Sequence, residues 1–470
     1  MNALLNNVPL FSYFNDICHI PHGSGNTEKI SEYCLDFAEK NGLEAFRDNF
    51  NNVIIKKNAT LGFENKNPVI LQAHLDMVCV KTKQSKKDFI KEGIETVARG
   101  DYLYAKDTSL GADDGIGVAL ILSILADKKI SHPPIEAVFT TDEEVGMDGA
   151  FALDCSLLNG KTLINIDSEE EGIFTVSCAG GARVDISLET DSEKIDKPCF
   201  KIELGGLLGG HSGTEINKKI YNANVLLGKF LNGIDENFNI IDIKGGEKDN
   251  AIAKESECKI STCFDLKQYA EQFLFKYRND ENKDLKIVIS DCQKSDYGLS
   301  LSSSKRIAEF LSGAPNGVIS FCENMEDLVE TSLNLGVIKS ENNNFYAHFS
   351  VRSCVESKKE MLISSLTAYA EKFSGKAKRG SEYPAWEFKE NSKLQDVMKK
   401  VYKSLYGKNA QISAIHAGLE CGVFVEKING IDAVSIGPDI FGAHTPFEKV
   451  SISSVNRTYD FLINVLKELK

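Results

Sequence analysis

The chain has 470 residues, 42% of them apolar and 26% charged, the balance of an ordinary globular protein long enough for two or three domains. Its net charge of −14 argues against nucleic acid and anionic membranes as partners, because both demand a basic face. No apolar run approaches the about 20 residues needed to span a bilayer.

The opening MNALLNNVPLFSYFNDICHI lacks a basic leader, a continuous apolar stretch and a small-residue cleavage site, so an amphipathic helix is expected rather than a signal peptide. From there to about residue 180, short apolar runs alternate with helical patterns. NNVIIKK, PVILQAHL, IEAVFTT, TLINID and IFTVSCA predict strands, and GIGVALILSILADKK a well-buried helix. The basic cluster Lys81, Lys83, Lys86 and Lys87 reads as a solvated loop. Strands separated by helices imply a βαβ-type sheet.

At Gly180-Gly181 the texture changes. ARVDISLET and CFKIELGGLLGG predict longer, alternating strands, INKKIYNANVLLGKFLNGI a helix, and NIIDIKGG and AIAKESECKIS further strands. A similar order follows in KIVISDC, SSKRIAEFLSGA, TSLNLGVIKSE, NNFYAHFSVRSC and the helix KEMLISSLTAYAEKF, which suggests two β-helix-β-β halves. Around Tyr383-Pro384-Ala385-Trp386 the pattern reverts, with a helix in KLQDVMKKVYKSLYG, strands in QISAIHAG and DAVSIG, and a terminal helix. The expected organisation is a catalytic domain built from 1–181 and 384–470, with 182–383 inserted in it. The twelve cysteines are dispersed without a CxxC pair, as expected of reduced thiols in a cytoplasmic protein, and argue against thiolate-bound zinc.

Five potential metal-binding side chains sit just past apolar runs: His74 in VILQAHLD, Asp113 in LGADDG, Glu144 in AVFTTDEE, Asp167 in LINIDSEE and His444 in GPDIFGAH. Open α/β sheets bind ligands at the carboxyl ends of their strands, so residues remote in sequence can converge there. Two imidazoles and three carboxylates without thiolate suit a pair of Zn²⁺, Mn²⁺ or Co²⁺ ions. Asp76, two residues beyond His74 on an extended segment, can orient its ring. Of the adjacent acids Asp113 and Asp114, one suits a helix N-terminus. Glu143 and Glu144 would point to opposite sides of an extended strand end, leaving Glu143 to face a water.

The motifs HLD, LGADDG, DEEVG, INIDSEE and GPDIFGAHTPFE together resemble the co-catalytic zinc peptidases of the aminoacylase and carboxypeptidase superfamily. AIHAGLECG and GLLGGHSGTEI bring the likeness nearest to the aminoacyl-histidine (Xaa-His) dipeptidases. The resemblance runs nearly end to end. It implies an α/β fold, a mixed central sheet sandwiched by helices, with an inserted α+β lid. It further implies that His74 and Asp167 hold one metal, Glu144 and His444 the other, and that Asp113 bridges. Asp76 would orient His74, and Glu143 would be the general base. In the lid, His211 would contact the scissile carbonyl, while Asn250 and Arg352 would meet the substrate. Two departures stand out: DDG where relatives carry DNG, and KDNAIA without the Arg frequent before the Asn.

The function expected is metal-assisted hydrolysis of short peptides, with Xaa-His dipeptides foremost and two divalent ions, Zn²⁺ before Co²⁺ or Mn²⁺, as cofactors. The implied partner is a small peptide, with a homodimer left open. The alternatives are an N-acyl amino acid deacylase or tripeptidase of the same superfamily and, from another reaction class, a two-metal phosphohydrolase. The last should need a basic phosphate clamp, and none adjoins these motifs.

Overall fold

The computed structural model describes residues 9–323 and 328–469. They form two compact units. The first takes the described residues up to Ser177, Phe388–Ala414 and Leu419 onward, and the second takes Cys178–Glu387 with Ile415–Gly418.

The first unit is built on an eight-stranded mixed sheet, ordered Glu44–Arg47, Val53–Lys57, Ile135–Thr140, Val69–His74, Thr162–Asn165, Asp432–Ser435, Ile173–Cys178, Gln411–Ile415. Its four central strands, Ile135–Thr140 to Asp432–Ser435, run parallel. Val69–His74 and Ile135–Thr140 are buried at every residue, which explains why they read as continuous apolar runs rather than alternating ones. The helix Ala112–Ala126, apolar on every side, packs on the first of these strands. Lys393–Tyr406 and Glu420–Lys427 pack on the Asp432–Ser435 strand. The N-terminal helix spans Pro9–His19, and residues 1–8 of its predicted range lie outside the described residues.

The second unit contains a nine-stranded sheet in which every pair is antiparallel. Its register divides the unit into two βαββαβ halves, differently from the linear reading. One half comprises Cys199–Gly205, the helix Ala223–Asn232, Asn239–Gly245, Ser256–Ser261, the helix Leu266–Tyr277 and Lys286–Asp291. The other comprises Gly180–Glu189, the helix Leu301–Gly313, Val329–Glu341, Asn344–Ser353, the helix Glu356–Lys372 and Lys376–Tyr383. In each, the last strand lies outermost, then the first, then the fourth element, and the third meets its counterpart at Lys244↔Lys339 and Gly245↔Ile338. Helices Ala223–Asn232 and Leu301–Gly313 pack together over this junction. KIVISDC therefore closes the first half instead of opening the second. The opening strand of the second half lies more than 100 residues upstream of its own helix, because the entire first half is threaded between them. A linear search for a tandem repeat misses that arrangement.

One predicted helix is shorter than its pattern. The 216–234 run becomes helical only at Ala223, because the Asn222 side chain accepts hydrogen bonds from the Asn224 and Val225 amides and so fixes the N-terminus. Among the described residues, no helix is long and apolar enough to cross a membrane.

Candidate metal centre

All five side chains singled out past strand ends converge in the first unit. His74 closes its strand, with its ring 1% exposed. Its Nε2 lies 3.1 Å from Asp113 Oδ1 and 3.4 Å from Asp167 Oδ1. The Nε2 of His444 lies 3.1 Å from Asp113 Oδ2 and 2.9 Å from Glu144 Oε1. Asp113 thus turns one oxygen to each imidazole, and every candidate donor atom is nitrogen or oxygen.

Each side chain is held there by local structure. Asp167 lies two residues past the end of its strand, Thr162–Asn165. Its neighbours Ile166 and Ser168 donate backbone N–H groups to Gln72 O and Ile436 O, so the segment stays clamped between two parallel neighbours. His444 sits in a turn with φ 61°, a left-handed conformation that side chains rarely adopt and that clusters at functional sites. Asp114 is the acid that serves the helix start: its Oδ1 accepts from Gly117 N at 3.1 Å, and its Oδ2 accepts from His74 N at 3.2 Å. A Cβ at Gly117 would lie 2.3 Å from that carboxylate and 2.5 Å from Ile166 O. This glycine therefore admits internal groups rather than a bound molecule.

Two expectations about the acids change in detail. Glu143 and Glu144 do not end an extended strand: the strand stops at Thr140, and Glu143–Val145 forms one 3-10 turn after Asp142, whose φ is 57°. Their different directions come from this turn. Asp76 meets His74 Nδ1 through its backbone carbonyl, which accepts at 2.9 Å, while its carboxylate stands 3.6 Å away. That carboxylate also accepts from the Glu143 amide at 3.1 Å, the Glu144 amide at 3.4 Å and Ser24 Oγ at 2.7 Å. Asp76 therefore locks both the imidazole and the glutamate turn.

Glu448 ends the GPDIFGAHTPFE motif, four residues past His444. In the fold it is 3% exposed, and it accepts from the amides of Leu110 at 2.6 Å, Gly111 at 3.0 Å and Ala112 at 2.7 Å. It shapes the loop that delivers Asp113. The TPFE ending places a carboxylate at hydrogen-bonding range of backbone 336 residues away, a pairing that no local pattern reveals.

The electrostatics call for a cation. Burial lifts the Asp167 carboxyl to about 6. Burial also raises Glu143 well above the usual carboxylate range, with Asp167, Glu420 and Glu144 adding to the effect. Hydrogen bonds to Asp113 and Glu144 push His444 up to about 11. Burial opposes charge on His74, yet Asp167, Asp113 and Asp76 together raise it well above an ordinary imidazole. Protons on the two rings compensate a surplus of buried negative charge. Divalent cations at the same nitrogens and oxygens would displace those protons, the linkage expected of a site whose ligands bind deprotonated. The donor set fits a dinuclear centre.

The second unit holds the other candidates. Gly210–His211 pairs with Ala251–Ile252, and both flank a cleft of about 890 Å³ that His211 and Asn250 line. His211 Nδ1 accepts from the amides of Gly213 at 3.3 Å and Thr214 at 3.2 Å. That arrangement leaves the ring proton on Nε2 as a donor. Burial and the Arg352 charge depress its basicity, so the ring is neutral at pH 7. Arg352 is 6% exposed and donates through one terminal nitrogen to Tyr383 Oη. The Gly181 backbone lies between these residues in the register, and a Cβ there would meet the Tyr383 ring at 2.3 Å. Gly181 and Tyr383 marked only a change of texture in the sequence; together they secure the guanidinium.

Residues 70–468 match the profile of peptidase family M20/M25/M40. The cytosol non-specific dipeptidase of Escherichia coli (strain K12) is 38% identical over 472 residues, covering 98% of this chain and 97% of the relative. Among solved structures, the aminoacylhistidine dipeptidase from Vibrio alginolyticus superposes with a TM-score of 0.89 at 35% identity, covering 98% of this chain and 97% of that one. The aminopeptidase PepT from Bacillus cereus ATCC 10987 shares the fold at a TM-score of 0.57 and 16% identity, over 98% of both chains.

Proposed function

Since the chain belongs to peptidase family M20/M25/M40, we propose that it is a cytoplasmic, metal-dependent dipeptidase that cleaves short peptides, Xaa-His dipeptides among them. The observation that carries this reading is the Asp113 carboxylate, with one oxygen 3.1 Å from the His74 imidazole and the other 3.1 Å from that of His444. The names of the two relatives that match nearly end to end support the choice of a dipeptide substrate.

His74 and Asp167 would hold one divalent ion and Glu144 and His444 the other, with Asp113 shared. Zn²⁺ is the first choice for this nitrogen and oxygen set, before Co²⁺ or Mn²⁺. When bound, such ions acidify water and polarise a carbonyl oxygen. Glu143 then takes a proton from the attacking water and returns it to the leaving amine, the work of a carboxylate whose proton affinity burial has raised. Asp76 keeps Glu143 and His74 in fixed relation. His211, a neutral ring with a donor at Nε2, serves the carbonyl oxygen as negative charge grows on it. Arg352 receives the terminal carboxylate of the peptide and Asn250 its backbone, with 182–383 acting as a lid that selects short substrates by volume.

Dipeptide hydrolysis by chelated protein, with Zn²⁺, Co²⁺ or Mn²⁺ added back, tests the reading. Activity should vanish on chelation and return with metal, and Xaa-His dipeptides should exceed N-acetyl amino acids and tripeptides. Full activity after exhaustive chelation would sink it.

A further inference from the structure

Directly behind the cluster lies a polar layer that the hydrolytic scheme leaves unused. Gln72, Thr140 and Asn165 are each 0% exposed and stand on three neighbouring parallel strands. Gln72 lies two residues before His74, Asn165 two before Asp167, and Thr140 three before Glu143. Asn165 Nδ2 donates to Gln72 Oε1 at 2.6 Å. Gln72 Nε2 donates to Thr140 Oγ1 at 3.1 Å and to Glu420 Oε2 at 2.6 Å. Thr140 Oγ1 completes the set by donating to the same Glu420 oxygen at 2.7 Å.

Glu420 opens the helix Glu420–Lys427 and is itself 0% exposed. Its second oxygen, Oε1, is buried with no hydrogen-bond partner among the described residues. Taking a carboxyl group out of water and leaving half of it unmatched costs stability. Apolar side chains of the same volume in place of Glu420 and its partners Gln72 and Thr140 together would pack here at lower cost. Cohesion alone therefore does not explain a glutamate at this point, whereas two strands that donate to one shared oxygen, with a third joined to them through Gln72, do.

We propose, on the dipeptidase reading above, that Glu420 is a positioning residue. Its Oε2 ties the Val69–His74 strand to the Ile135–Thr140 strand and, through Gln72 and Asn165, to Thr162–Asn165. It thereby sets the spacing of His74, Glu143 and Asp167. The role belongs to hydrogen-bond acceptance and not to charge. Burial pushes the Glu420 carboxyl up to about 8, in keeping with an uncharged acid among many carboxylates. A glutamine, with a carbonyl oxygen in the place of Oε2, should therefore serve nearly as well.

The experiment uses the full chain carrying Glu420→Ala or Glu420→Gln. Steady-state hydrolysis of a Xaa-His dipeptide, Zn²⁺ affinity by chelator competition and the melting temperature of the metal-free protein are read together. E420A should lower kcat and weaken Zn²⁺ binding by about 10–100-fold, as loss of a group behind a metal ligand does, with KM little changed. E420Q should recover both to within about threefold, since the acceptor survives. If E420A does not fold, Thr140→Val, which removes one donor to the same oxygen, should show the same kcat loss against unchanged KM. An E420Q as impaired as E420A overturns the proposal, because charge would then be what matters. So does an E420A that melts earlier but keeps its kcat and metal affinity, because Glu420 would then only pack. If the unsubstituted protein cleaves no dipeptide, the functional reading fails, and the Zn²⁺ affinities of the two variants still decide the role of Glu420.

Discussion

The two units place chemistry in opposite ways. In the first, parallel strands all end on one edge, so His74, Glu143, Glu144 and Asp167 reach a common place although they come from separate stretches of chain. In the second, antiparallel neighbours alternate direction and share no such edge. There His211 and Asn250 lie on and beside a two-residue ladder at the rim of a cleft, and Arg352 lies within the sheet. The support differs as well. The first site is locked from behind by the buried Asp76 and Glu448 and, on the proposal above, by Glu420, with only His444 well exposed among its imidazoles, whereas His211 is set by two amides of its own turn. Damage to the first site should therefore appear in kcat, metal affinity and stability, and damage to the second in KM at Arg352 and Asn250 but in kcat at His211, which meets charge that grows only during the reaction.

The strongest break in that comparison comes from Glu143→Gln. Loss of a general base costs about 10²–10⁴-fold in rate, so dipeptide kcat should fall that far while Zn²⁺ content, measured by elemental analysis, stays at wild-type level. A comparable loss of bound metal would make Glu143 a ligand instead. Next comes Glu448→Gln. The two oxygens of Glu448 serve the amides of Leu110 and Gly111 on one side and Ala112 on the other, and an amide side chain can accept on only one side. Each buried donor left without an acceptor costs about 1–3 kcal/mol. Denaturant unfolding should report a loss of that size, together with weaker metal binding as the Asp113 loop loosens. Unchanged stability would mean that water replaces the carboxylate.

The same contrast explains what the sequence discloses. Ligands past VILQAHL, IEAVFTT and TLINID are legible because central parallel strands are buried on both faces and mostly apolar, which makes their polar ends conspicuous. Glu448 and Glu420 are not, because their partners are backbone amides and buried side chains hundreds of residues away. The glutamate turn is misread as strand because a positive φ at Asp142 leaves no mark in the residue pattern. In the second unit the strands are visible one by one, yet the pairing of the halves is not, because the opening strand of one half precedes the whole of the other.

Smaller effects sharpen the comparison. Asp76→Asn keeps a carbonyl acceptor and the backbone oxygen that meets His74, but weakens the grip on the Glu143 and Glu144 amides. Groups of this kind are worth about 10–100-fold in activity or metal affinity. The expected result is a loss at the lower end of that range, confined to kcat in the zinc-loaded protein.

The smallest change belongs to the second unit. Arg352→Lys preserves the charge but replaces a planar fork with a single ammonium, which cannot hold Tyr383 Oη and a carboxylate in one plane. KM for a dipeptide should rise about tenfold, the equivalent of one weakened charge-assisted hydrogen bond, with kcat preserved. A C-terminally amidated dipeptide isolates the cause. If Arg352 receives the terminal carboxylate, the amide should be a poor substrate for the wild type and should show almost no further rise in KM with the lysine variant. An equal rise for both substrates would assign Arg352 to holding its own sheet, through Tyr383 and Gly181, rather than to the peptide.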